Sequence, residues 1–196
     1  MNDNYDQIKN KKKKAKKMML WFGIISLIMT FGGLTSAFIV SSSREDWLYN
    51  FPIPNSFSYS TVVIIISSFT LIFAKFFFKK GESFLTQILL VVTFILGLSF
   101  IFLQLSAFED YIALGYNFTG PTSNVTVSYI YIIAILHIVH VVVGLISLII
   151  VIVNNFNNRY QVSNMLGFEL ASTFWHFVDF LWLYLFFFFF FFNKIN

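Results

Sequence analysis

Five long apolar stretches decide most of what this chain can become. They cover roughly residues 18–40, 60–78, 84–108, 126–153 and 169–192. A helix needs about 20 mostly apolar residues to cross a bilayer. Inside the hydrocarbon, backbone groups must bond within their own segment, which a helix achieves alone. The chain therefore reads as all-α: an integral membrane bundle of five transmembrane helices. Composition agrees, since only 11% of residues are charged, against about 25% in soluble domains. One compact domain over 18–196 follows a basic tail, residues 1–17. With no cysteine, disulfides, thiolate metal sites and a cysteine nucleophile are all excluded.

The connecting segments are short and polar. Residues 41–59 hold Arg44, Glu45, Asp46 and the run Phe51-Pro52-Ile53-Pro54, and read as loop because proline breaks a helix interior. Residues 79–83 make a tight turn, residues 109–125 carry Glu109, Asp110, Gly115, Gly120 and Pro121, and residues 154–168 carry asparagines and Arg159. The lysine block Lys9, Lys11, Lys12, Lys13, Lys14, Lys16 and Lys17 has two readings, a nucleic-acid patch or a topology flank. We take the second and expect no nucleic-acid partner, because Lys75, Lys79, Lys80 and Arg159 fall on the same side. The other side has only Arg44 and Lys194. The N-terminus is then cytoplasmic and the C-terminus outside. The apolar run after the lysines is too long for a signal peptide and lacks a small-residue cleavage site.

Phe accounts for 28 of 196 residues. We read this as compositional bias, so the run 186–192 is an apolar helix end without a recognition role. Thr30, Gly32, Gly33, Thr35, Ser36 and Ala37 form a small-residue patch on the first span, of the kind that lets membrane helices approach closely, with a lipid or ligand cleft as the alternative.

Few ionisable groups lie deep in the spans: His137, His140, His176 and Asp179, with Glu169 and Lys75 near span ends. At about 1.5 Å per residue, His176 and Asp179 sit about 10 and 15 Å from the inner end of the last span. On the same scale His137 and His140 sit about 17 and 21 Å from the outer end of the fourth. All four reach the central part of a core about 30 Å thick. Such groups are expensive in lipid and face protein. His137, His140 and Gly144 share one helix face, and His176 and Asp179 are neighbours at i, i+3. We expect His137, His140, Glu169, His176 and Asp179 to form an interhelical polar network. Metal ligation and a proton relay are the alternatives. Two imidazoles and one carboxylate, with no inward carboxylate on the first three spans, make a weak ligand set. No serine sits in a nucleophile elbow. We therefore expect no catalytic, metal or cofactor-binding residue.

The last span begins Gly167-Phe168-Glu169 and, after residues 170–174, continues Trp175-His176-Phe177-Val178-Asp179 and Trp182. This pattern resembles subunit III of the haem-copper (cytochrome c) oxidase family. The fourth span adds His137-Ile138-Val139-His140-Val141 and Gly144; the third ends with Gln104, Ala107, Phe108 and Glu109, similar to the family's exit from that helix. Five spans resemble the short bacterial form. Family members usually carry an acid within the first of those helices, whereas Thr30-Phe31-Gly32 here has none.

The resemblance implies a non-redox accessory subunit of a proton-pumping terminal oxidase in the cytoplasmic membrane of a bacterium. It implies that subunit I is the main partner and subunit II a further one. Haem and copper would be held by those partners, and phospholipid would bind in a cleft. Two alternatives remain open at this stage: the accessory protein of nitric-oxide reductase, and a stand-alone transporter or channel. A transporter built from inverted repeats would show internal repetition, and we see none.

Overall fold

The computed structural model describes residues 2–49, 51–120, 123–157 and 165–195. Five α-helices account for nearly all of them: α1 (Asn2–Ser41), α2 (Asn55–Lys79), α3 (Ser83–Ala113), α4 (Val125–Phe156) and α5 (Leu166–Ile195). All five are long and apolar enough to cross a membrane. Each exceeds its expected span by up to a few turns. The lysine block continues α1 as helix. Arg159 lies outside the described residues.

Two loop expectations need correction. The segment 41–59 stops short, because α2 starts at Asn55 immediately after Pro54 (φ −58°, ψ 140°). Proline excludes helix before itself but not after, since its fixed φ suits the residue leading into a first turn. Glu109 and Asp110 belong to the end of α3 and not to a loop. Ser56 donates to Asp110 Oδ2 at 2.8 Å, which ties the start of α2 to that end.

The packing begins with α2 and α3. Their tight connection uses Gly81 at φ +83°, a conformation that favours glycine. The buried residues of α3 are Thr86, Leu90, Thr93, Gly97, Phe100, Gln104, Ala107 and Tyr111, alternating steps of four and three. That is the 3.5-residue period of a left-handed seam. The facing buried positions of α2 include Ser60, Thr61, Ser67 and Ala74. Small side chains bring the two backbones close, and small polar ones bond across. Thr70 and Thr93 hydroxyls meet at 2.8 Å, and Gln104 Nε2 donates to Ser60 Oγ at 2.9 Å.

α4 packs on α3 and on α5, and α5 also packs on α2. Among the described helices α1 packs on α4 and α5, and no Cα of α1 comes within 8 Å of α2. Its buried residues, Ile24, Phe31, Thr35 and Phe38, make a single stripe. Thr35 bonds the Tyr184 hydroxyl at 3.0 Å. Gly32 and Gly33 lie off that stripe, and a Cβ on either would meet nothing within 4 Å. At one end of the bundle Phe38 is ringed by Trp47, Phe51, Phe188, Phe189 and Phe192, with centroids 4.8–6.4 Å away. The phenylalanine run thus divides by helix face: Phe189 is buried, while Phe187, Phe190 and Phe191 point outward. Thr126 Oγ1 accepts from the Leu48 backbone at 2.9 Å and fastens the first loop to α4.

Candidate functional site: the α5 signature

Trp175 is the centre of the bundle. Its side chain is 1% exposed. A Cβ on Gly97 of α3 would lie 2.6 Å from its Cη2, and one on Gly144 of α4 would lie 2.9 Å from its Cε3. The indole fits only because both neighbours lack a side chain. Its Nε1 donates to Ser67 Oγ of α2 at 3.0 Å. One residue of α5 therefore joins α2, α3 and α4.

Two turns on, Trp182 repeats the device. It donates from Nε1 to Thr61 Oγ1 of α2 at 3.0 Å. Its ring packs on Phe57, Phe100 and His137, with centroids 5.1–5.6 Å away. His137 is fully buried. It faces the Val178 carbonyl of α5 at 3.1 Å through Nε2. A carbonyl only accepts, so Nε2 carries the proton and His137 donates across α4 to α5. Its Nδ1 has no partner. His140, half-buried, donates through Nδ1 to its own helix at Leu136 O, 2.6 Å away. The α1 residue against both imidazoles is Phe31, with centroids at 6.5 and 5.8 Å.

His176 and Asp179 turn to α2 and away from α4. His176 Nδ1 shares a 2.7 Å hydrogen bond with Ser68 Oγ. Asp179 is 4% exposed. It lines an apolar cavity of about 350 Å³ with Ser68, His176, Ile64 and Phe180. Both of its carboxyl oxygens are enclosed within the chain, beside Ser68. Glu169 is elsewhere again, paired with Lys17 of α1 at 3.1 Å with both side chains partly exposed. The five polar residues thus fall into separate contacts, joined through the α5 backbone. Among the described residues, no three histidines or acids converge to hold a metal ion.

The other signature residues also pack. Phe168 is buried against Phe78 at 5.6 Å. Phe177 lies half-buried on the core. Gly167 borders an apolar groove between α4 and α5. Gln104 is fully buried on Ser60. Sequence reading missed Gly97, Ser67 and Thr61. Gly97 carried a usable signal, as a glycine in the interior of an apolar span.

The family model described as cytochrome c oxidase subunit III matches residues 49–194. The chain belongs to that family. The match takes in α2 to α5 and so every residue of the α5 signature; α1 lies outside it. Subunit 3 of the cytochrome bo(3) ubiquinol oxidase of Buchnera aphidicola subsp. Baizongia pistaciae (strain Bp) is 30% identical over 137 residues, 69% of this chain and 68% of that one. Subunit 3 of the cytochrome c oxidase of Bacillus sp. (strain PS3) is 26% identical over 126 residues, 64% of this chain and 59% of that one. This is a multi-pass membrane protein and an accessory subunit III of a terminal oxidase, an oxidoreductase complex. Neither comparison supports the nitric-oxide reductase or transporter readings.

Proposed function

We propose that this subunit carries no catalytic centre and stabilises subunit I of a proton-pumping oxidase that reduces oxygen to water. Subunit II completes the assembly, and haem and copper are held by those partners. One observation carries the reading: the signature of α5 is spent on packing. Trp175 and Trp182 donate to hydroxyls of α2, and His137 donates to an α5 carbonyl. His137, His140, Glu169, His176 and Asp179 then serve as structural contacts.

The cationic flanks put the N-terminus in the cytoplasm and the C-terminus outside, in the cytoplasmic membrane of a bacterium. A phospholipid has a matching groove. Lys13, Lys14 and Lys17 border a polar cleft at the start of α5. An apolar groove of about 370 Å³, lined by Leu20, Val143, Ile150, Leu170 and Phe174, lies near it.

The test is purification of the tagged chain in mild detergent from its native membrane. A co-isolated polypeptide with a haem spectrum and oxygen consumption is expected. His176→Ala should weaken retention or sustained turnover and leave the haem spectrum of the remaining complex unchanged. A haem-free, monodisperse protein that moves solute in liposomes would overturn the reading.

A further inference from the structure

We infer that α1 is a hinged arm: its far end is fixed to α4 and α5, and its lysine-rich end is latched to α5 by an ion pair that exchanges partners, so that this end alone opens and closes.

The two ends are held by different chemistry. Toward the loop that follows α1, Thr35 bonds the Tyr184 hydroxyl at 3.0 Å and Ser41 bonds the Tyr129 hydroxyl at 2.9 Å. Phe31 and Phe38 are fully buried there. The loop itself is fastened to α4, where Thr126 Oγ1 accepts from the Leu48 backbone. Toward the lysine-rich end the buried stripe thins to Ile24, while Met18, Met19, Trp21 and Phe22 are exposed. The tie at that end is Lys17–Glu169 at 3.1 Å, with side chains 55% and 36% exposed. A pair so open to its surroundings is weak and is screened by salt.

Three further observations make the pair a latch. Clefts of about 430 and 180 Å³ both border it, so α1 and α5 are not close-packed around it. Lys75 of α2 lines the smaller cleft together with Lys17 and Glu169. Glu169 therefore has a second cation at hand, on a helix that α1 does not touch. Pairing with Lys75 releases the arm, whereas Lys13 and Lys14, on α1 beside the larger cleft, attract Glu169 from the arm itself. Finally, Gly32 and Gly33 separate the two parts of α1. Glycine pairs are among the places where helices bend. A Cβ on either would meet nothing within 4 Å, so close packing does not account for them.

The chain has no cysteine, so introduced pairs carry the only spin labels. Met19→Cys with Phe84→Cys reads the lysine-rich end of α1 against the start of α3. Val40→Cys with Ile112→Cys reads the opposite end, and all four positions are exposed. Distances are measured by pulsed EPR on the full chain in phosphatidylcholine nanodiscs. The lysine-rich end should give a short and a long component, the opposite end one narrow component. Between about 0.01 and about 1 M salt the screening length falls from about 30 to about 3 Å, and the long component should grow. Glu169→Gln should raise the ratio of long to short about 1.4-fold to fivefold, the equivalent of losing an exposed ion pair. Lys75→Ala should lower that ratio, and Gly32→Ala combined with Gly33→Ala should suppress the long component. A lysine-rich end as narrow as the other, indifference to both salt and Glu169→Gln, equal movement of both ends, or a Lys75→Ala chain that opens further overturns the inference. If a variant fails to insert, the salt series on the otherwise unaltered labelled chain decides.

Discussion

Gly97→Ala is the sharpest probe of the bundle centre. The new Cβ would lie 2.6 Å from Trp175 Cη2, 3.0 Å from its Cζ2 and 2.8 Å from Leu145 Cδ2. Leu145 can rotate away. Trp175 cannot, because its Nε1 is held by Ser67 and its opposite side rests on Gly144. Overpacking of this kind costs about 1–3 kcal/mol. Alanine also gains about 1 kcal/mol over glycine in helix propensity. Gly32→Ala separates the two effects, since its Cβ meets nothing within 4 Å. The difference between the two variants cancels propensity and leaves about 1–3 kcal/mol. The assay is reversible SDS unfolding of the purified subunit in mixed micelles, followed by tryptophan fluorescence. Trp175→Phe removes the ring atoms that clash, so the double variant should be strongly non-additive. Equal stability of Gly97→Ala and Gly32→Ala, or an additive double variant, refutes the keystone argument.

In the same unfolding assay, Ser67→Ala should cost about 1–3 kcal/mol by stranding the buried Trp175 Nε1; a neutral result would mean that the bond to Ser67 is dispensable. His137→Leu should cost less than His137→Ala, for which cavity formation predicts about 2–5 kcal/mol, because the Val178 carbonyl keeps a helical partner; the reverse order refutes this. Lys17→Ala should cost about 1 kcal/mol or less, and less still at high salt, because the Lys17–Glu169 pair is partly exposed. At the loop after α1, the Arg44 guanidinium donates twice to Asp46, at 2.8 and 3.0 Å, and holds that carboxyl below the usual carboxylate range. A lowered folded-state value makes the pairing present above the ordinary carboxylate range and lost as pH falls through the lowered one. Carboxyl NMR titration should show Asp46 moving upward in Arg44→Ala; an unchanged midpoint sinks that account.

Much of the architecture was legible because hydrophobic length is a one-dimensional signal. Span existence needs only a window of apolar residues, and the α5 pattern from Gly167 to Trp182 is read along the chain. What depth along an axis leaves undetermined is direction around it. His137 and His176 reach the same level, yet His137 faces the α5 backbone and His176 faces Ser68 of α2. Choosing between these faces requires knowing which neighbour lies where, and that depends on every helix at once. Gly97 was passed over for a related reason. A glycine in an apolar span announces a close approach but not the side chain that makes it. Helix ends ran past their apolar windows because Glu109 and Asp110 continue helical hydrogen bonding where the chain meets water, a choice that hydropathy does not record.

The isolation of α1 from α2 has a consequence for biosynthesis. α1 leaves the ribosome before α2 to α5, and among the described residues the helices it packs on are α4 and α5, the last two. α2 and α3, joined by the short turn at Gly81, can close as a hairpin as soon as both are made. The order of synthesis and the order of packing are therefore opposed. Within this subunit, Phe31 and Phe38 meet their helix partners only when α4 and α5 arrive.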